Sequence, residues 1–313
     1  MASTTNKPRN HLVTDATQPF DFTYQQYGKP VQIVVNQTPE EDTWPGGALW
    51  DIGVLLSHVM VGIASGTVLP SQKSVHLPKR IFEAIEAINS SNKADWTVLE
   101  LGCGVGLTGL VAAAALGTQL TILTDLEVVV DQVTQPNLEI NSSLSSEGKK
   151  KPYRLLNAGK RGRAMALPLC WGIEEDEANV AAMFLEHTKS SQKSRVTKKT
   201  KKKKGSAGSK SAENDSEDLS KPSLIIIGDV AYQHKPGAPS HFDVLVSTLL
   251  KFLGPKTLVI FGTRMRMPAS ADLLEMFNTH MDECCEPIPA DEIDASFGKF
   301  KHQITIHMFR QRQ

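Results

Sequence analysis

Short apolar segments recur along this chain, and stretches with helical spacing separate them. "TVLEL" (97–101), "LTILTD" (120–125), "AMALPLCW" (164–171), "SLIIIGD" (223–229) and "TLVIFG" (257–262) lack the polar alternation of a half-exposed strand. A strand that is apolar on both faces must be covered on both. "LTGLVAAAALG" and "FDVLVSTLLKFLG" supply helices, the first closing on Gly117 as a C-cap. Alternating buried strands and helices require right-handed crossovers. The expected fold is therefore α/β and Rossmann-like, with a mostly parallel sheet and helices on both faces.

The flanking segments fit around that unit. "FDFTYQQYGKPVQIVVNQ" alternates on either side of Gly28, as a small N-terminal β-hairpin would. Ile52, Leu55, Leu56, Val59, Met60 and Ile63 lie at helical spacing, as do Phe82, Ile85 and Ile88. "LEVVVDQVTQPNLEIN" reads as a helix strained by Pro136. "HQITIHMFRQ" puts Ile304, Ile306 and Met308 on one face, the pattern of an edge strand. Residues 1–18 read as a flexible tail and 19–313 as one domain. Lys189 to Lys221 interrupts it: Lys-rich, then Ser/Gly-rich, then acidic, and unable to offset its ordering entropy. That segment is expected to be a disordered insertion.

In such sheets ligands bind beyond the C-terminal ends of the strands, near the switch in strand order. The residues to watch are thus "GCGVG" (102–106), "DLE" (125–127), "WG" (171–172), "GDVAY" (228–232) and "GTRMRM" (262–267). "GVGLTG", Gly104 to Gly109, matches a dinucleotide fingerprint, and Asp125 stands at a distance that would suit its ribose-binding acid. Glu100 opposes that reading. It lies two residues before the first glycine, where a carboxylate repels a phosphate. It suits a ligand bearing positive charge, such as S-adenosylmethionine, which has an ammonium, a sulfonium and no phosphate.

"VLELGCGVGLTGL" with "LTILTDLE" resembles motif I and the following strand of the class I, seven-β-strand methyltransferases. "LWDIGVLLSHVM", "CWG" and "GDVAY" are similar to the upstream Trp-Asp helix, the mid-chain Trp-Gly and the D-x-x-Y motif of methyltransferase family 16. Those are small protein-lysine methyltransferases. The resemblance runs from Phe20 to Phe309, minus the insertion. It implies S-adenosylmethionine as cofactor and a lysine of a protein as acceptor. By the same resemblance, Trp50 would flank the cofactor, and Gly102, Gly104 and Gly106 would let the loop approach its methionyl part. Glu100 would favour the ammonium, Asp125 the ribose hydroxyls, and Trp171 would pack near the adenine. Gly228 would permit close approach, and Asp229 and Tyr232 would sit at the methyl-transfer face.

Plainer readings stand beside these. Trp50 and Trp171 could be core residues, and Asp229 a helix cap. Arg264 and Arg266 read equally as solvated surface or as substrate contacts. His234 and His241 read as loop residues. An arginine, a histidine or a small molecule would be the acceptor in a rival of the same fold. A dinucleotide-dependent oxidoreductase and a non-catalytic binding module are the rivals from other classes.

Composition narrows the partners. Lys plus Arg and Asp plus Glu are 34 each among 313 residues, so no global charge attracts nucleic acid or an anionic membrane. No apolar run approaches a membrane span, and the N-terminal stretch lacks the apolar core of a secretory signal. The expected setting is cytoplasmic and nuclear, and the expected state monomeric. Lys198 to Lys204 reads as a solvated linker or as a tract for nucleic acid, the ribosome or an import receptor. Cys103, Cys170, Cys284 and Cys285 lack metal-ligand spacing and read as reduced, buried thiols, with no metal site.

Overall fold

The computed structural model describes residues 15–26, 28–66, 77–88, 92–143, 152–155, 162–200, 220–231, 241–265, 268–299 and 303–312, with residues 189–200 and 299 described by backbone alone. A hairpin of β1 (Phe20–Gln26) and β2 (Lys29–Val35) comes first. Helices α1 (Asp51–Ser65) and α2 (Lys79–Ile88) follow. Then β3 (Thr97–Leu101), α3 (Leu107–Leu116) and β4 (Leu120–Asp125) form the first crossover unit. A composite helix follows β4: α4 (Glu127–Val129), a π-helical segment (Val130–Thr134) and α5 (Gln135–Ile140).

Short strands β5 (Ser142–Ser143) and β6 (Tyr153–Leu155) lead to β7 (Arg163–Pro168). The long helix α6 is Glu174–Thr200. After it come β8 (Leu224–Gly228), α7 (Phe242–Phe252), β9 (Leu258–Arg264) and α8 (Pro268–His280). The chain closes with β10 (Met281–Glu283), β11 (Ile288–Pro289), α9 (Ala290–Ile293) and β12 (Ile304–Gln311).

The main sheet runs β10-β12-β9-β8-β3-β4-β7-β6-β5, with β11 also on β12. Strands β7, β4, β3, β8 and β9 are parallel, and β12 is antiparallel to β9. The fold is the α/β, mostly parallel sheet that the alternation implies, extended to ten strands by small antiparallel additions at both ends. From β3 the chain steps outward through β4 to β7, then crosses back to β8 on the other side of β3. The switch in strand order lies between β3 and β8, where a parallel sheet opens a crevice.

Period-2 alternation divides the core into two layers. Val98, Leu224 and Ile226 pack with α1 and α3 on one face, whereas Leu99, Leu101, Ile225 and Ile227 pack with α6, α7 and α8 on the other. Gly228 and Gly262, paired across β8 and β9, let α1 lie close: a Cβ at Gly262 would stand 2.7 Å from Ile52 Cγ2.

Three expectations need correction. The C-terminal strand β12 is not at an edge, because β9 lies on one side and β10 and β11 on the other. Its second face, with His307 and Phe309, is buried too, which the alternation of Ile304, Ile306 and Met308 did not reveal. Residues 189–200, expected to be disordered, carry helical backbone, since α6 runs to Thr200. Lys, Arg and Gln are good helix formers, and acids in the first turn (Glu174, Glu175, Asp176, Glu177) complement the helix dipole. Residues 201–219 lie outside the described residues. In the N-terminal tail, Asp15 and Gln18 are tied by their carbonyls to the Gln37 amide at 3.2 and 2.9 Å.

Candidate functional site

Strand β3 ends in a loop whose three glycines, Gly102, Gly104 and Gly106, all have left-handed backbone (φ 69°, 51° and 80°). Gly104 also needs the space: a Cβ there would lie 2.8 Å from the Gly46 carbonyl oxygen. Both of its backbone groups are held. Its N–H donates to Asp125 Oδ2 at 2.8 Å, and its carbonyl accepts from Thr134 Oγ1 at 2.7 Å. Asn137 Nδ2 donates to the Val105 carbonyl at 3.0 Å and to that of Asn36 at 2.9 Å. The π-helical segment thus has a use. It absorbs the missing donor and bulk of Pro136 while presenting Thr134 and Asn137 to the loop.

Glu100 is buried beneath the loop at 5% exposure, and its Oε2 accepts the Gly109 N–H at 2.8 Å. Burial pushes its carboxyl up to about 8, against the opposing pull of the Gly109 N–H and the Thr108 hydroxyl, with Asp125 adding charge repulsion. Burial likewise raises Asp125, whose Oδ1 accepts the Leu126 N–H at 2.8 Å. In a pyrophosphate-binding loop the free N–H groups at the helix start face the ligand. Here the Gly109 N–H is already taken by an acid. The donor set therefore favours S-adenosylmethionine, whose ammonium draws Glu100 into its charged form, over a pyrophosphate that would need the Gly109 N–H. Cys103 is buried in the same loop, and burial pushes its thiol well above the ordinary range, so it stays protonated.

The loop opens into a cavity of about 390 Å³. That is within the usual range for a small-molecule site. Trp50, Glu100, Gly102, Gly104, Asp125, Trp171, Gly228 and Asp229 all line it. Gly106 does not: it caps α3 instead, and a Cβ there would meet Leu123 Cδ2 at 2.9 Å. Trp50 precedes α1, half-buried, with its Nε1 donating to the Pro45 carbonyl at 3.1 Å. Trp171 sits between two tethers. The Cys170 N–H donates to Asp176 Oδ2, and the Gly172 N–H to Thr248 Oγ1, both at 2.8 Å.

Asp229 stands at the switch point, just beyond β8. Its φ of 52° is the one left-handed value at a non-glycine among the described residues. Its N–H donates to the Gly262 carbonyl at 3.0 Å, and neither Val230 nor Ala231 after it is helical, so it does not cap a helix there. Tyr232, His234 and Arg266 lie outside the described residues. Arg264 is neither solvated nor at the cavity wall: it is buried at 6% exposure and pairs with Asp51 at 2.6 Å. His241 does reach the cavity. Cys170 is exposed rather than buried. Asp42, Trp44, Leu126, Cys170 and Val244 also line the cavity and carry no periodic signal in the sequence. Among the described residues no cluster could hold a metal, and no helix is long and apolar enough to cross a membrane.

A parallel sheet with its switch at β3 and β8, a left-handed glycine loop and an acid beneath that loop are arranged as in the fold of class I methyltransferases, and the site fits S-adenosylmethionine. Residues 31–157 match the profile of a family described as lysine methyltransferase. That match takes in the glycine loop and Asp125 and stops before Trp171 and Asp229. No curated protein matches the chain. Among solved structures, N-methyltransferase NodS from Bradyrhizobium japonicum WM9 in complex with S-adenosylhomocysteine is 12% identical, over 82% of this chain and 99% of its own, at a TM-score of 0.37. A TehB-like S-adenosylmethionine-dependent methyltransferase from Corynebacterium glutamicum is 11% identical, covering 76% of this chain and 90% of its own (TM-score 0.35). Ribosomal protein L11 methylase from Lactobacillus delbrueckii subsp. bulgaricus is 13% identical, over 74% and 77%, at a TM-score of 0.35. Likenesses this distant say nothing of the acceptor.

Proposed function

We propose that this protein methylates the side-chain amine of a lysine in another protein. The observation that carries the reading is Asp229, held in left-handed backbone at the switch point and facing the cavity. Strained non-glycine residues concentrate where a side chain must be aimed. The description of the matching family supports the choice of lysine.

In this reading Gly102, Gly104 and Gly106 shape the loop that approaches the methionyl part of the cofactor, and Glu100 attracts its ammonium. Asp125 accepts from the ribose hydroxyls. Trp50 and Trp171 wall the cavity, Trp171 at the adenine, and Gly228 leaves room before Asp229. When bound, the cofactor supplies an electrophilic methyl group on a sulfonium. The acceptor amine must first lose a proton, since lysine has a pKa of about 10.4 and its ammonium has no lone pair. Asp229 orients the neutral amine by accepting its N–H, and Tyr232, which lies outside the described residues, is the residue expected to meet the aliphatic stem. Transfer to that amine would be an in-line displacement at the methyl carbon, with neutral S-adenosylhomocysteine as the leaving group. Positioning and exclusion of water carry much of the rate in such an in-line displacement.

Incubation with radiolabelled S-adenosylmethionine in a cell lysate tests this. Label in a discrete protein band that hydrolyses to methyl-lysine is the expected result. Label found as methyl-arginine, methyl-histidine or only in small metabolites assigns the same fold to another acceptor and overturns the lysine reading.

A further inference from the structure

The segment between the hairpin and α1 is a closed loop presenting one exposed aromatic ring. The Thr38 N–H donates to the Gly47 carbonyl at 2.8 Å, and the Gly47 N–H to the Thr43 carbonyl at 2.7 Å. The Thr43 hydroxyl donates to the Thr38 carbonyl inside that ring. Closure leaves no room for a side chain at Gly47, where a Cβ would meet the Thr38 oxygen at 2.0 Å. At Gly46 the loop lies on the glycine loop and on Val129, 2.8 Å from a Cβ at that position. Trp44 is therefore presented from a fixed frame, its own N–H donating to the Glu40 carbonyl at 2.9 Å.

Trp44 lines the cavity and yet is 51% exposed, the most exposed large apolar residue among those described. Its ring centroid is 5.7 Å from that of Trp50, tilted by 58°. Trp50 is itself tied to the loop through Pro45. An indole left half in water by a well-tied loop keeps apolar area and a π-face for a ligand. The loop rests on Gly104 through the Gly46 carbonyl, two residues after Trp44, and Trp44 lines the same cavity as the glycine loop. A sulfonium is a weakly hydrated cation, and indole is the aromatic face that attracts cations most strongly.

We propose that Trp44 binds the cofactor, forming with Trp50 a two-indole wall on the sulfonium side of the cavity. This rests on the S-adenosylmethionine reading of the site. It predicts that Trp44 distinguishes the charged cofactor from its neutral product, S-adenosylhomocysteine, which lacks the sulfonium.

Calorimetric titration of the full chain with each ligand, without acceptor, tests the assignment. Trp44→Ala should weaken S-adenosylmethionine binding by about tenfold and S-adenosylhomocysteine binding by clearly less. Trp44→Phe should recover most of the difference. The unliganded melting temperature of Trp44→Ala should fall by no more than a few degrees, because half of the ring is already in water. Affinities equal to the parent's, or a loss identical for both ligands, overturn the assignment while leaving the cofactor reading intact. A parent chain that binds neither ligand overturns both.

Discussion

Asp51 and Arg264 form a buried ion pair, with Arg264 Nη2 2.6 Å from Asp51 Oδ2 and side chains only 3% and 7% exposed. The pair ties the first residue of α1, next to Trp50, to the last residue of β9. Ser270 Oγ adds a bond to the Arg264 carbonyl at 3.1 Å. Removing one partner leaves a buried charge without its counterion. Arg264→Met should therefore cost about 3–5 kcal/mol in urea unfolding. Adding Asp51→Leu to it should recover much of that loss, because an apolar pair needs no compensation. A double variant as unstable as the single one would show that the pair's worth is not electrostatic.

A second tether holds the cavity wall at Trp171. Thr248, fully buried, accepts the Gly172 N–H at 2.8 Å and donates to Glu177 Oε1 at 2.6 Å. Lys251 Nζ meets the other oxygen of Glu177 at 2.5 Å. Thr248→Val keeps the shape and removes both bonds, leaving the part-buried Gly172 N–H and a buried Glu177 oxygen short of a partner. The expected loss is about 1–3 kcal/mol of stability. Because Gly172 follows Trp171, S-adenosylhomocysteine affinity should also fall, and Thr248→Ser should restore it. Unchanged affinity in a destabilised Thr248→Val chain would separate Trp171 from the ligand.

Glu100 makes cofactor uptake depend on pH. Burial raises its carboxyl from the ordinary 4.5 to about 8. The folded chain thus holds a proton that the unfolded chain releases. The stability it contributes is full below about pH 4.5 and is lost as pH rises toward about 8. A ligand ammonium beside Glu100 favours the ionised form, so binding below about pH 8 must expel that proton. Affinity should rise with pH across this range, by at most about tenfold per unit for one proton. Asp125, also raised by burial, acts with the same sign. Titration heats measured in two buffers of different ionisation enthalpy should differ, and Glu100→Gln should shrink the difference to what Asp125 contributes. Equal heats in the parent chain would mean that Glu100 stays protonated in the complex.

How far the sequence reached follows from where the signals lie. Strands β3, β4, β7, β8 and β9 are legible because burial on both faces removes polar residues from them. The glycine loop is legible because left-handed backbone at Gly102, Gly104 and Gly106 excludes other residues. Trp44 was missed, since its frame is made by main-chain bonds between Thr38, Thr43 and Gly47 that leave no periodic pattern. Arg264 was misjudged because its partner Asp51 lies more than two hundred residues away in sequence. The strands β5, β6, β10 and β11 escaped for a different reason: pieces of two or three residues are too short to show alternation.

Asp229 allows stability and activity to be separated at one position. Its left-handed φ of 52° costs an L-residue about 1 kcal/mol and costs glycine almost nothing. Asp229→Gly should thus keep the main-chain bond to Gly262 and relieve the strain, though glycine's greater freedom in the unfolded chain returns part of the gain. The midpoint of urea unfolding should hold or rise. Methyl transfer should nevertheless fall by at least about a hundredfold, in the range lost when a positioned polar group is removed from a reacting centre. Asp229→Asn keeps a side chain that tolerates this backbone and one oxygen to accept the amine N–H, so its activity should lie between the two. S-adenosylhomocysteine affinity should change little in either variant, because the loss belongs to the acceptor side. A glycine variant that is stable and fully active would show the left-handed turn alone to be what the site requires. The amine would then be oriented by some other group.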